Sequence, residues 1–128
     1  MEGGTVTPEG RVKAKVSKIL KDLGIFYWMP VMGMQFGTTG ASDFICVVSG
    51  RIVCIETKAT RKNRPTANQF TFGEKVQKAG GVWWIIHDQN VIELPMLLRD
   101  FMEELELCFS NSSQAASNVS KPANLPRP

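Results

Sequence analysis

Two apolar runs separated by a pair of turn-forming residues constrain this chain more than any other feature. Asp43-Phe44-Ile45-Cys46-Val47-Val48 and Arg51-Ile52-Val53-Cys54-Ile55-Glu56 are rich in β-branched residues, and Ser49-Gly50 between them suits a tight hairpin turn. Such a turn fixes the register. With Val48 opposite Arg51, Val47 faces Ile52, Ile45 faces Cys54, and Asp43 falls opposite Glu56 on one face of the sheet. Lys58 joins that face, because side chains alternate along a strand and it lies two residues past Glu56.

Like charges directly opposite on a sheet repel, with Cβ atoms only about 5 Å apart. A divalent cation removes the repulsion: Mg²⁺ takes hard oxygen ligands at about 2.1 Å and commonly binds through one or two carboxylates plus water and phosphate. The ammonium of Lys58 beside them can orient a phosphate or activate water. The plainer alternative has Asp43 closing a glycine-rich loop, with Glu56 and Lys58 as ordinary solvent-facing strand residues.

The 128 residues, 43% of them hydrophobic, suffice for a single compact domain, expected over 1–108. No uninterrupted apolar run is long enough to span a membrane and no signal-peptide core is visible, so a cytoplasmic location is expected. Three cysteines and one histidine cannot build a zinc site of the usual kind or a histidine-rich metal centre, which leaves carboxylate-held metals. In the hairpin register Cys46 and Cys54 point to opposite faces, which disfavours a disulfide between them.

The net charge is only +3, and its distribution is more informative. Arg61, Lys62 and Arg64 follow Lys58 closely and are the best candidates for contacting nucleic-acid phosphates. Arg11, Lys13, Lys15, Lys18 and Lys21 fill the first helical stretch, where a solvated face and phosphate contact are equally good readings.

Thr7-Pro8 opens that helix, Val12, Val16, Ile19, Leu20 and Leu23 give its apolar face, and Gly24 ends it. Glu9 lies at the end of the stripe, where it either complements the helix dipole or reaches a metal or its waters. Ile25 to Met32 suits a strand, with Pro30 pointing to an edge, and residues 33–40 form a glycine-rich loop. Thr66 and Gln69 make a capping box for a second helix ending at Gly80-Gly81; Gln69 faces the sheet, for capping alone or for a part in the site. Val82 to Ile86 reads as a strand buried on both faces, its helical crossover implying parallel pairing. A short strand over Asn90 to Glu93 and a closing helix over Pro95 to Leu107 follow. Residues 109–128, dominated from Ser110 by Ser, Asn, Ala and Pro, are expected to be a disordered tail.

In order and spacing, these residues resemble the small VRR-NUC domains of the PD-(D/E)XK nuclease superfamily: a helix with an inward Glu, Gly40-Ala41-Ser42-Asp43, a short strand pair, Glu56-Thr57-Lys58, a basic loop, a helix opening Thr66-Ala67-Asn68-Gln69, and Ala79-Gly80-Gly81 before an apolar strand. The likeness runs from Pro8 to about Glu93. One departure is visible: Ser42 stands where the motif has Pro, at a position of loop geometry. The resemblance implies an α/β fold with a restriction-endonuclease-like core, a mixed central sheet flanked by helices in the order α-β-β-β-α-β. It implies an endonuclease dependent on Mg²⁺ or Mn²⁺, with Asp43, Glu56 and the Thr57 carbonyl as metal ligands. Lys58 would position or activate the attacking water, and Glu9 and Gln69 would be helix-borne accessory residues. It further implies DNA as partner, with selectivity for branched DNA such as Holliday junctions or flaps, in a bacterial cell or a phage-infected host. A homodimer would suit the two equivalent strands of a junction. The competing expectations are a catalytically silent nucleic-acid-binding module and a nuclease subunit that needs a partner.

Overall fold

The computed structural model of the chain describes residues 6–31 and 40–116. Helix α1 (Pro8–Asp22) starts where the sequence places it, with the Thr7 hydroxyl accepting from the Gly10 amide at 3.0 Å. It buries Val12, Val16 and Leu20 and stops at Gly24, whose φ of 69° lies in the left-handed region. The strands are β1 (Phe26–Trp28), β2 (Phe44–Val48), β3 (Arg51–Thr57) and β4 (Val82–Ile86). Helix α2 (Ala67–Lys78) connects β3 to β4, a 3-10 turn covers Val91–Glu93, and α3 (Leu94–Ala116) closes the described chain.

One sheet carries the strands in the order β1-β2-β3-β4, antiparallel except for the β3/β4 pair, which is parallel as the helical crossover requires. The hairpin has the expected register, Val48 opposite Arg51 through Phe44 opposite Ile55. Ser49 and Gly50 have φ of 50° and 85°, the left-handed pair that a type I′ turn demands to match strand twist. Phe44, Cys46 and Val48 from β2 and Val53 and Ile55 from β3 meet α1, Leu94 and Leu98 in one core. Cys46 and Cys54 are free thiols, and burial pushes them up to about 12 and about 11 respectively, so neither is a nucleophile at neutral pH.

Four expectations change. β4 is an edge strand covered on both faces but only partly, so that of its five residues only Ile86 is buried: Val82 and Trp84 pack on the core side, Trp84 edge-on to Phe101 of α3. On the other face Trp83 lies beneath α2, where a Cβ on Gly73 would fall 2.3 Å from its indole. The segment expected as a short strand after Asn90 is the 3-10 turn, because Asn90 bends the chain: its amide donates to the Ile85 carbonyl at 2.9 Å and its oxygen accepts from the His87 amide at 2.7 Å. The first strand spans only Phe26–Trp28 of the longer stretch expected, and Met32 lies outside the described residues, as does the glycine-rich loop except for Gly40. Helix α3 continues past residue 108, where the tail was expected to begin, to Ala116; residues 117–128 lie outside the described residues. Among the described residues no helix is long and apolar enough to cross a membrane.

Candidate active site

The open end of the hairpin gathers the charged residues. Asp43 precedes β2, Glu56 and Thr57 end β3, and Lys58 follows directly. Asp43 is held by Thr57, whose amide and hydroxyl both donate to Oδ2, at 2.8 and 2.6 Å. The Lys58 amide donates to the Ile86 carbonyl at 2.9 Å, which ties the end of β3 to β4. The Lys58 ammonium donates to Gln69 Oε1 at 2.8 Å. That same oxygen accepts from the Thr66 amide at 2.9 Å, while the Gln69 amide donates to the Thr66 hydroxyl at 3.2 Å. One oxygen of Gln69 thus both caps the helix and holds the Lys58 ammonium. Gly40 sets the first turn of α2 close by: its φ is 83°, and a Cβ there would fall 2.3 Å from the Asn68 carbonyl carbon.

Glu56 is wholly buried, and among the described residues neither of its carboxylate oxygens has a hydrogen-bond partner. Burial, with Asp43 adding to it and Lys58 opposing the rise, pushes its carboxyl up to about 8. The buried hydroxyl of Ser42, next to Asp43 in the chain, is likewise unpartnered among the described residues. Lys13 of α1 places its ammonium 3.4 Å from Asp43 Oδ1 and 3.5 Å from Glu9. Partial burial lowers its pKa, but Asp43 and Glu9 together more than offset this and hold it above the ordinary lysine value. The repulsion between Asp43 and Glu56 that the sequence assigns to a cation is therefore relieved in the metal-free chain by other means, a proton on Glu56 and the Lys13 ammonium at Asp43.

Asp43, Glu56, Thr57, Lys58 and Gln69 converge as the sequence anticipates. Glu9 is linked to Asp43 through Lys13, and among the described residues no three carboxylate, histidine or cysteine side chains gather closely enough to hold an ion unaided. Arg61, Lys62 and Arg64 are exposed on the turn after Lys58, which Asn63 shapes by accepting from the Thr60 amide and hydroxyl at 3.0 and 2.9 Å. The sequence reading missed the particular place of Lys13 among the helix lysines; its spacing of four residues from Glu9 on one helix face was the available signal. It also missed the Thr57 hydroxyl, which braces Asp43. The donor chemistry fits a hard divalent cation of the kind that binds through one or two carboxylates plus water and phosphate: two carboxyl groups brought together, one with both oxygens unpartnered among the described residues.

No protein-family profile and no curated protein matches the sequence. Solved structures do match. One described as a "VRR_NUC domain" superposes with a TM-score of 0.59 at 24% identity, covering 69% of this chain and 94% of its own. A second, described as a "VRR_NUC domain protein", gives a TM-score of 0.61 at 15% identity, covering 77% of this chain and 91% of its own. The fold of the chain is that of VRR-NUC domains, a restriction-endonuclease-like mixed sheet flanked by helices.

Proposed function

We propose that this chain, having the fold of VRR-NUC domains, is a nuclease: a Mg²⁺- or Mn²⁺-dependent endonuclease that hydrolyses DNA phosphodiester bonds and selects branched DNA such as Holliday junctions or flaps. The observation that carries this reading is Glu56, a wholly buried carboxyl with both oxygens unpartnered among the described residues, beside Asp43 and Lys58 at one end of the sheet. A carboxyl so buried is costly, whether it is desolvated as a charge or takes up a proton and leaves its polar atoms unpaired, and a purely structural role offers nothing to offset it.

In this reading Asp43 and Glu56 hold the cation together with the Thr57 carbonyl, and Glu9 serves as an accessory carboxylate toward its waters. When bound, a divalent cation supplies positive charge against the phosphoryl and leaving oxygens. Lys58, its ammonium fixed by Gln69 at 2.8 Å, orients the attacking water or the phosphate. Arg61, Lys62 and Arg64 grip flanking phosphates. None of these groups reads base edges, so selection falls to the shape of the nucleic-acid backbone. A homodimer would offer one site to each of two equivalent strands of a junction.

The test is incubation of the purified chain with four-way junctions, flaps, nicked duplex and single strands in Mg²⁺, Mn²⁺ or EDTA. Cleavage of branched DNA with either metal, abolished by EDTA and in Lys58→Ala, is expected. Absence of cleavage of every substrate in both metals would overturn the reading.

A further inference from the structure

We propose that Lys13 is a displaceable stand-in for the cation: its ammonium neutralises the oxygen of Asp43 that a divalent ion takes, and it must leave that oxygen for the ion to bind. The inference rests on the nuclease reading of the site.

The two oxygens of Asp43 have different partners. Oδ2 is engaged twice by Thr57, at 2.8 and 2.6 Å, so Oδ1 is the oxygen left for a cation, and it is Oδ1 that Lys13 approaches, at 3.4 Å. That separation is longer than the 2.7–2.9 Å or so of a strong charge-assisted hydrogen bond, so the contact compensates charge without locking geometry. Lys13 has a second carboxylate at hand in Glu9, 3.5 Å away and one turn back on α1, which can keep the ammonium once Asp43 is given up. The side chain is 34% exposed, which leaves it room to turn. The helix itself stays fixed, since Val12 and Val16 on either side of Lys13 are buried in the core. The exchange therefore needs only a side-chain rotation.

An ion that must displace a resident ammonium binds more weakly than one entering an uncompensated site. The experiment is calorimetric titration of Mn²⁺ into the metal-free full chain, comparing wild type with Lys13→Met, Lys13→Arg and Lys18→Met. Lys13→Met is expected to bind Mn²⁺ about tenfold more tightly, equivalent to about 1.4 kcal/mol. Lys13→Arg, which keeps the charge, should remain near wild type. Lys18→Met should also remain near wild type although it removes the same net charge, because Lys18 pairs with Asp22 at 2.9 Å at the other end of α1. Melting curves in EDTA check that each variant folds, and Lys13→Gln replaces Lys13→Met if the latter does not. Unchanged or weaker binding by the charge-removing variant, or equal tightening in Lys18→Met, overturns the proposal. Binding by wild type that is lost in Asp43→Asn yet unaltered in Lys13→Met overturns this proposal alone; absence of binding in every variant overturns the cation reading and this proposal with it.

Discussion

Asp43 and Glu56 come together at the open end of the β2/β3 hairpin, and their hydrogen bonding is unequal: Thr57 donates twice to Asp43, while both oxygens of the buried Glu56 are unpartnered among the described residues. Protonation of Glu56 is the metal-free chain's answer to that imbalance, and it makes stability depend on pH.

The Glu56 carboxyl is pushed from its ordinary 4.5 up to about 8, chiefly by burial and secondarily by Asp43. Between those values the folded chain binds more protons at this group than the unfolded chain does, so stability falls as pH rises. In EDTA the melting temperature should therefore decline from pH 5 to pH 8, and Glu56→Gln should flatten the decline. Added Mn²⁺ should raise the melting temperature most at the upper end, where less proton has to be displaced. The same slope in Glu56→Gln as in wild type would assign the effect to another group.

Lys58→Ala should fold and bind Mn²⁺ nearly as wild type does while losing about 10²-fold or more in turnover, since it removes a donor beside the attacked phosphate and leaves both carboxylates in place. Turnover within a few-fold of wild type would reduce Lys58 to a structural partner of Gln69.

Gln69→Ala removes the acceptor of both Lys58 and the Thr66 amide, so it should lower stability by about 0.5–2 kcal/mol and turnover with it. Gln69→Glu keeps an acceptor for both donors and should preserve the melting temperature. A pair of chemical-denaturation curves separates the two variants.

Replacing Arg61, Lys62 and Arg64 together should weaken binding to every DNA sequence alike and flatten its salt dependence by about 0.9 logarithmic units per phosphate contact removed. Binding isotherms between low and moderate salt measure it, and an unchanged slope would remove this turn from the DNA-facing surface.

Gly40→Ala should cost about 1–3 kcal/mol, because it combines a left-handed backbone with a Cβ only 2.3 Å from the Asn68 carbonyl carbon. The melting temperature of the variant tests this, and a value equal to wild type would show that α2 yields at its first turn.

How much of this was legible in the sequence differed with how local the governing interactions are. The hairpin register could be read because the Ser49-Gly50 turn leaves one pairing compatible with an apolar core face, and the caps at Thr7 and Thr66 because each is completed within a single helical turn. The setting of β4 could not, since a run such as Val82-Trp83-Trp84-Ile85-Ile86 has the same composition in the middle of a sheet as at its partly covered edge. The turn after Asn90 depends on hydrogen bonds to His87 and Ile85 whose geometry exists only once β4 is placed. Likewise the pairing of Lys13 with Glu9 follows from helix spacing, but its approach to Asp43 depends on how α1 lies across the sheet.

The shared acceptor on Gln69 also sets a clock for the site. Helix ends open and close far more often than a domain unfolds, and the lysine loses its partner whenever the first turn of α2 lets go of Thr66. Hydrogen exchange at the amides of Gln69 and Phe70, which donate to the Thr66 hydroxyl and carbonyl, therefore reports how long Lys58 stays held between openings. In the proposed nuclease, a helix terminus that frays faster at higher temperature would give a graded loss of activity well below the melting point.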